Sequence, residues 1–355
     1  MPFDIHELPA KSAIGRSRSH DGDRRLVAGW LFVMCGLILV MVTLGGATRL
    51  TGSGLSIMEW APLSGILPPL SEAEWQRLFA LYQQIPQYAL LNQGFGLDGF
   101  KQIFWLEWAH RLWGRLIGLA FLLPLLVLIW RRAIPRSLVP RLTLLFVLGG
   151  LQGAVGWFMV ASGFFPDSTT VSPYRLVVHL TLALVLYGAI LWTALSVRQP
   201  TPDSIAPRTL RVLAGTTAAL VGVTIVAGGF VAGLRAGLIY NSFPLMDGRL
   251  VPEGYAQLQP LLRNLTENIA AVQFNHRLLA TLTTLAAVAT LVAGWRSGVA
   301  RGAVAALACT VAVQYALGVT TLLWVVPPGL GTAHQATAVL VLTASLVLLH
   351  RLRPA

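Results

Sequence analysis

The sequence predicts an all-α, polytopic membrane fold, with eight transmembrane helices arranged as two homologous four-helix bundles, and three observations carry that reading. The 355 residues are 55% hydrophobic and only 11% charged. Basic residues separate the apolar runs in an alternating pattern, and the second half of the chain repeats short motifs of the first.

The apolar runs, bounded by Arg, Pro and Gly, fall near 26–46, 107–130, 140–161, 175–197, 210–232, 273–295, 302–325 and 331–350. Each approaches the roughly 20 residues that a helix needs to cross a bilayer. With a cytoplasmic N-terminus, the inner segments carry Lys11, Arg16, Arg18, Arg24 and Arg25, then Arg131, Arg132, Arg136 and Arg141, then Arg198, Arg208 and Arg211, then Arg296 and Arg301, and last Arg351 and Arg353. Most acids (Glu59, Glu72, Glu74, Asp98, Asp167, Asp247, Glu253, Glu267) fall on the other side, so the positive-inside rule gives the same orientation at every crossing. The formal net charge of +12 is thus explained by topology, and it forms no single basic face for nucleic acid. Residues 1–25 include Asp4, Glu7, Asp21 and Asp23 and are expected to be a cytoplasmic tail, not a transit peptide. Cys35 and Cys309 sit inside separate apolar runs and offer neither a disulfide framework nor a thiolate metal site.

The repeat sets the domain organisation. LQGAVGW (151–157) matches VQYALGV (313–319), AHRL (109–112) matches NHRL (275–278), and GG at 45–46 with GL at 54–55 matches GG at 228–229 with GL at 237–238. The expected units are a tail (1–25), a first bundle (26–197) with a long outer loop at 47–106, a cytoplasmic linker (198–209), a second bundle (210–350) and a short cytoplasmic tail (351–355). An even number of spans per half gives both halves the same polarity, unlike the inverted repeats of many transporters.

Of the seven histidines, His6, His20 and His350 lie in a tail or at a helix end. His110, His179, His276 and His334 instead fall one on each even-numbered span, near its outer start. Counting to the basic residue at each inner end gives about 32, 28, 30 and 26 Å of helix, so the four share one depth. Two imidazoles per half, on different helices at one level, suit a planar haem clamped from both faces through its iron. Zinc or copper calls for further ligands, and neither half has a nearby Cys or additional His. Haem propionates need cations at the polar edge; Arg111 and Arg277 follow two of the histidines directly, and Arg175 precedes His179 by one turn.

EWAHRLWGR (107–115) crowds Glu107, His110, Arg111 and Arg115 into the start of an apolar run. On a helix, positions i and i+3 lie about 60° apart, which points Glu107 toward the pocket of His110. Its counterpart in the second half is Gln273, so the carboxylate belongs to the first half alone. Such an acid is costly in a membrane unless it serves a site or is paired with Arg111 or Arg115. The asymmetry points to one site for chemistry and one for electrons.

Taken together, RLTGSGLSIMEW (49–60), PP (68–69), EW (74–75), EWAHRLWGRLIG (107–118) and the repeated NHRL resemble the haem A synthase family over about residues 27–350, most closely its branch in mitochondria and related bacteria. The resemblance implies a bacterial inner-membrane enzyme that converts haem O to haem A for cytochrome oxidase, oxidising a ring methyl through an alcohol and a gem-diol to a formyl group. It implies a haem b cofactor between His276 and His334, substrate haem between His110 and His179, and an essential acid at Glu107. It also implies as partners the lipid bilayer, the farnesyltransferase that supplies haem O, and an electron-transfer protein, with a homo-oligomer left open. The outer-loop cysteine pairs of some bacterial members are absent here. Three other classes compete. A non-catalytic bis-histidine di-haem carrier has no use for Glu107. A di-iron hydroxylase needs Glu-x-x-His on two helices, which Gln273 breaks. A transporter calls for ionisable groups near the bilayer midplane.

Overall fold

Proline and glycine decide where the apolar runs stop. The computed structural model describes residues 11–62, 64–166, 168–201 and 206–354, with side chains from residue 21 onward. The expectations placed on Asp4, His6, Glu7, Asp167 and the middle of the 198–209 linker lie outside the described residues, as do the side chains of Lys11, Arg16, Arg18 and His20. The α-helices are α1 (Lys11–Leu50), α2 (Glu72–Tyr82), α3 (Pro86–Leu91), α4 (Leu97–Trp130), α5 (Val139–Ala161), α6 (Pro173–Arg198), α7 (Arg208–Gly233), α8 (Ile269–Ser297), α9 (Arg301–Leu323) and α10 (Pro328–Arg351). Among the described residues, eight of these are long and apolar enough to cross a membrane. Helices α6 and α10 begin with proline, whose missing N–H costs nothing in the first turn, and α8 ends on Gly298 in the left-handed region.

Helix α1 packs on α4 and α6, and α5 bridges α4 and α6; likewise α7 packs on α8 and α10, and α9 bridges α8 and α10. The two sets meet where α1 and α6 face α10 and where α6 faces α7. Leu31, Met34, Phe121, Leu142 and Ile190 fill the centre of the first set, and Leu210, Val304, Leu307 and Leu348 that of the second. Polar groups inside an apolar medium must find one another. Thr217 meets Thr290 and Thr224 meets Thr283, each at 2.9 Å, so one heptad of spacing fastens α7 to α8. Between the sets, Tyr187 Oη lies 2.6 Å from Thr343 Oγ1, and Gln335 Nε2 donates to the Val42 carbonyl at 2.9 Å. His350 is buried, 3.3 Å from Ser196 Oγ, and carries the same seam to the short-turn end, where 131–138 joins α4 to α5 and 298–300 joins α8 to α9.

Two helices begin earlier than expected: α1 starts at Lys11, within the expected 1–25 tail and fifteen residues before 26, because no proline interrupts 11–25. Helix α4 begins ten residues before the expected 107, because LDGFKQIFWL continues the helix with Phe100 and Phe104 facing inward. Glu107 therefore lies well inside a helix and not at its mouth. The expected loop 47–106 is correspondingly shorter and largely folded. Ser71 caps α2 by accepting from Glu74 N at 3.2 Å, with Glu72 and Glu74 in the first turn where the helix dipole favours them. Trp75, Phe79, Tyr82, Phe100 and Phe104 then form an aromatic cluster that seats this cap on the top of α4.

The α6–α7 crossing depends on close backbone approach: a Cβ on Gly233 would stand 2.8 Å from Pro173 Cα. Gly233→Ala is expected to lower stability by about 1–3 kcal/mol. Gly222→Ala, where a Cβ meets open space on the same helix, should be neutral or stabilising. Thermal denaturation of the two purified variants in detergent separates them; equal midpoints would show that the crossing is not tight.

Candidate functional site

Each of the four histidines rests edge-on against a glycine of the preceding membrane helix. A Cβ on Gly45 (α1), Gly156 (α5), Gly228 (α7) or Gly318 (α9) would stand 3.0, 2.9, 2.9 or 2.9 Å from Cε1 of His110, His179, His276 or His334 respectively. One turn before three of these glycines a polar group meets the same ring. Gln152 Nε2 lies 3.1 Å from His179 Nδ1 and donates to the His179 carbonyl at 2.7 Å. Gln314 Nε2 lies 3.4 Å from His334 Nε2. The Thr224 carbonyl lies 3.1 Å from His276 Nδ1, and an Nδ1–H donated there leaves Nε2 with the lone pair that a metal needs. The Nδ1 atoms of His110 and His334 are buried without a partner.

The His276 and His334 rings have centroids 6.5 Å apart and nearly perpendicular planes, at 88°. Two imidazoles on opposite faces of one metal, with metal–nitrogen bonds of about 2 Å, have centroids about 6 Å apart, so this pair fits an iron held from both sides. Among the described residues no group of three or more His, Cys, Asp or Glu could hold an ion, and a porphyrin iron asks for only two protein ligands.

Beside the histidines, the two halves share one clamp and differ in its centre. Arg111 donates to the carbonyls of Ile57 and Glu59 at 2.7 and 2.6 Å, and Arg277 donates to those of Tyr240 and Ser242 at 2.6 and 2.9 Å. These four carbonyls occupy matching positions of the repeated GL segments. Glu107, 3% exposed, accepts from Ser56 Oγ at 2.7 Å and Ile57 N at 2.9 Å through one oxygen, and from Arg111 Nε and Nη2 at 3.1 and 2.6 Å through the other. Gln273 is equally buried but points its amide the other way: Nε2 donates to the carbonyls of Ala236 and Ile239, and only Oε1 receives Arg277, at 2.7 Å. A carboxylate surrounded by donors has thus been exchanged for an amide facing acceptors. Glu107 is a buried ion-pair member, not a screened interfacial acid.

The remaining expected residues are placed as follows. Arg175 donates to the Phe158 carbonyl at 2.8 Å and stacks on the Phe158 ring at 3.8 Å. Arg111 also lies over Trp157 of α5, at 5.4 Å. The guanidiniums of Arg111 and Arg277 are largely taken up by loop carbonyls, whereas Arg277 Nε is buried without a partner. Sequence reasoning missed Ser56, Gln152, Gln314 and Thr224; the two glutamines were legible, since each precedes the repeated glycine by four residues.

Because the two centres have opposite polarity, the reciprocal swap is informative. Gln273→Glu sets a carboxylate against two carbonyl oxygens and is expected to cost at least about 1–3 kcal/mol. It should also open 237–243 to protease, and unchanged melting and digestion would refute the clamp. Arg111→Ala, which strands Glu107, is expected to cost about 3–5 kcal/mol in the same melting experiment.

Comparison with known proteins bears on the whole chain. The sequence model of the family described as cytochrome oxidase assembly protein (COX15-CtaA) matches residues 28–346. The heme A synthase of Granulibacter bethesdensis is 66% identical over 336 residues, covering 94% of this chain and 89% of that protein. That of Parvibaculum lavamentivorans is 46% identical over 356 residues, covering 97% and 98%. That of Nitrosospira multiformis is 49% identical over 333 residues, covering 92% and 93%. Glu-x-x-His on one half, Gln-x-x-His on the other and a glycine behind every histidine are therefore features of a chain that belongs to the haem A synthase family.

Proposed function

We propose that this integral membrane protein is a haem A synthase, oxidising a ring methyl of haem O to the formyl group of haem A by successive steps through the alcohol. The observation that carries the reading is the pairing of two similar histidine seats with dissimilar neighbours, Glu107 in one half and Gln273 in the other. A non-catalytic electron carrier has no use for that difference.

In this reading α1, α4, α5 and α6 form the substrate bundle, with His110 and His179 holding haem O, and α7 to α10 form the cofactor bundle, with His276 and His334 holding haem b. Haem b, when bound, supplies a one-electron relay. The protein does the rest through its own groups. Thr224 sets the His276 tautomer; Gln152 fixes His179; Glu107, paired with Arg111 at 2.6 Å, stabilises positive charge or takes a proton beside the reacting methyl. Arg277, with its free buried Nε, is the better placed of the two clamp arginines to turn a donor toward a haem carboxylate, because Glu107 occupies the equivalent atom of Arg111. The arginine-rich short-turn end faces the cytoplasm of a bacterial inner membrane, with both termini on that side. Haem O arrives from a farnesyltransferase, and electrons leave to a separate partner.

Optical spectra of the purified protein and chromatography of its extracted haems test this. Haem b together with haem O or A is expected, and haem b alone in an expressing strain that makes haem O would favour the carrier. Changing His276 or His334 to a non-ligand should remove or distort the low-spin haem b spectrum, and both variants keeping the full spectrum would overturn the assignment. Glu107→Gln should lower haem A formed per haem-b-loaded molecule by about 100-fold or more. Arg111→Lys serves as its control, disturbing the clamp while keeping the carboxylate. Near-normal output from the Gln variant would refute a chemical role.

A further inference from the structure

Arg115, the last ionisable group of EWAHRLWGR, takes no part in the histidine sites, and it lines a different cavity. A pocket of about 600 Å³ lies between α4 and the loop segment 57–70, bounded among others by Trp60, Trp108, Arg111, Arg115 and Arg77, with Leu67, Leu70, Leu78 and Phe104 as an apolar wall. By helical geometry Trp108 and Arg115 stand roughly 140–160° around α4 from His110, so the pocket is on the far side of the helix from the histidines. On the same side of α4 by helical geometry, Leu116, Leu119 and Leu123 are exposed, an apolar stripe suited to lipid.

The charges of the pocket balance in number, three arginines against three glutamates, but not in place. Arg77 is held by Glu59 at 2.8 Å and Glu74 at 2.8 Å, and both acids are kept below the ordinary carboxylate range by those hydrogen bonds. Arg111 is held by Glu107. Arg115 meets only backbone, donating to the Pro62 and Ala61 carbonyls at 2.9 and 2.9 Å. Among the described lining residues it is the one cation with no carboxylate within ion-pair distance, and its Nη1 is buried without a partner, as is the nearby Trp108 Nε1. A cation without a carboxylate partner and two unused donors, on residues that line a pocket with an apolar wall, are complementary to one kind of ligand, a phosphate carried on a hydrocarbon chain. The second half has no such site: the position matching Arg115 is Thr281, bonded to its own helix and to Tyr315, and the position matching Trp108 is Phe274.

We propose that this lateral pocket binds the headgroup phosphate of an anionic phospholipid, with Arg115 and Trp108 as its donors and the Leu67–Leu70 segment against the acyl chain. The inference stands apart from the haem A synthase reading, since it uses none of the groups given a role there beyond the Arg111 side chain that forms one wall.

The test is native mass spectrometry of the full-length, haem-loaded protein exchanged into phosphatidylcholine micelles and titrated with phosphatidylglycerol. One lipid should remain bound at collision energies that strip the rest. Arg115→Gln should weaken its retention by about tenfold or more, Arg115→Lys should largely preserve it, and Trp108→Phe should weaken it to a lesser degree. Arg136→Gln, at the opposite end of the protein, serves as the control and should change nothing. A haem b spectrum unchanged in every variant verifies that each is folded and distinguishes failure here from failure of the haem reading. Equal phosphatidylglycerol retention by wild type and Arg115→Gln would overturn the proposal. Protection of the site by inorganic phosphate alone, or by a dicarboxylate porphyrin in preference to the lipid, would overturn it as well.

Discussion

Everything at the loop end depends on how closely an imidazole can approach a neighbouring helix. An imidazole edge lies within a Cβ's reach of a glycine four times, and each time the glycine is on the preceding span. With a side chain there, the histidine helix would be pushed outward or the ring turned from its level. This constraint fixes the spacing of α1 to α4, α5 to α6, α7 to α8 and α9 to α10. The packing of the eight helices is arranged to satisfy it, with interlocking threonines and aliphatic side chains filling the space toward the short-turn end.

The clamp explains why the loops are not free to wander over these seats. A guanidinium that grips two carbonyls two residues apart fixes a short run of loop, and it does so at the same register in both halves. The centre of the clamp has nevertheless been rebuilt. In the first half the loop offers an N–H and a hydroxyl, so the buried partner is an anion; in the second it offers carbonyls, so the partner is an amide. The pairing of charge follows from the choice, since Arg111 has a counter-charge at 2.6 Å, whereas among the described residues Arg277 has no carboxylate within ion-pair distance. Two sites of common descent thus sit in different electrostatic surroundings without any change in the histidines themselves.

Much of this was legible in the sequence because hydropathy and charge alternation are local signals. The eight spans, the four histidines on alternate helices and the special position of Glu107 all follow from residues close together in the chain. What was not legible involved partners far apart. Glu107 meets Ser56 and Ile57, about fifty residues earlier, and no periodicity reports that a loop hydroxyl will fall beside a helix carboxylate. The upstream extension of α4 was hidden for another reason: Asp98 and Lys101 break the apolar run although the backbone stays helical, and Phe100 and Phe104 bury their side of it under the aromatic cap. The paired glutamines of α5 and α9 lay inside a repeat that had been noticed, but their link to the histidines needs the helices to be placed side by side.

The double glycines of α1 and α7 have a further consequence. Gly45 faces His110 of its own half, while Gly46 lies against the Gln335 side chain of α10, next in sequence to His334. Gly228 and Gly229 repeat the pattern with His276 and with Val177 and Leu180 of α6. Helix α1 therefore carries a notch that only the final span can fill. Since α10 is the last of the eight spans in chain order, that contact cannot form during synthesis until the seven spans after α1 have been made. The histidine seat on α4 is built early, but the wall behind α1 closes last, so the order of membrane insertion delays the maturity of the first half until the second is complete.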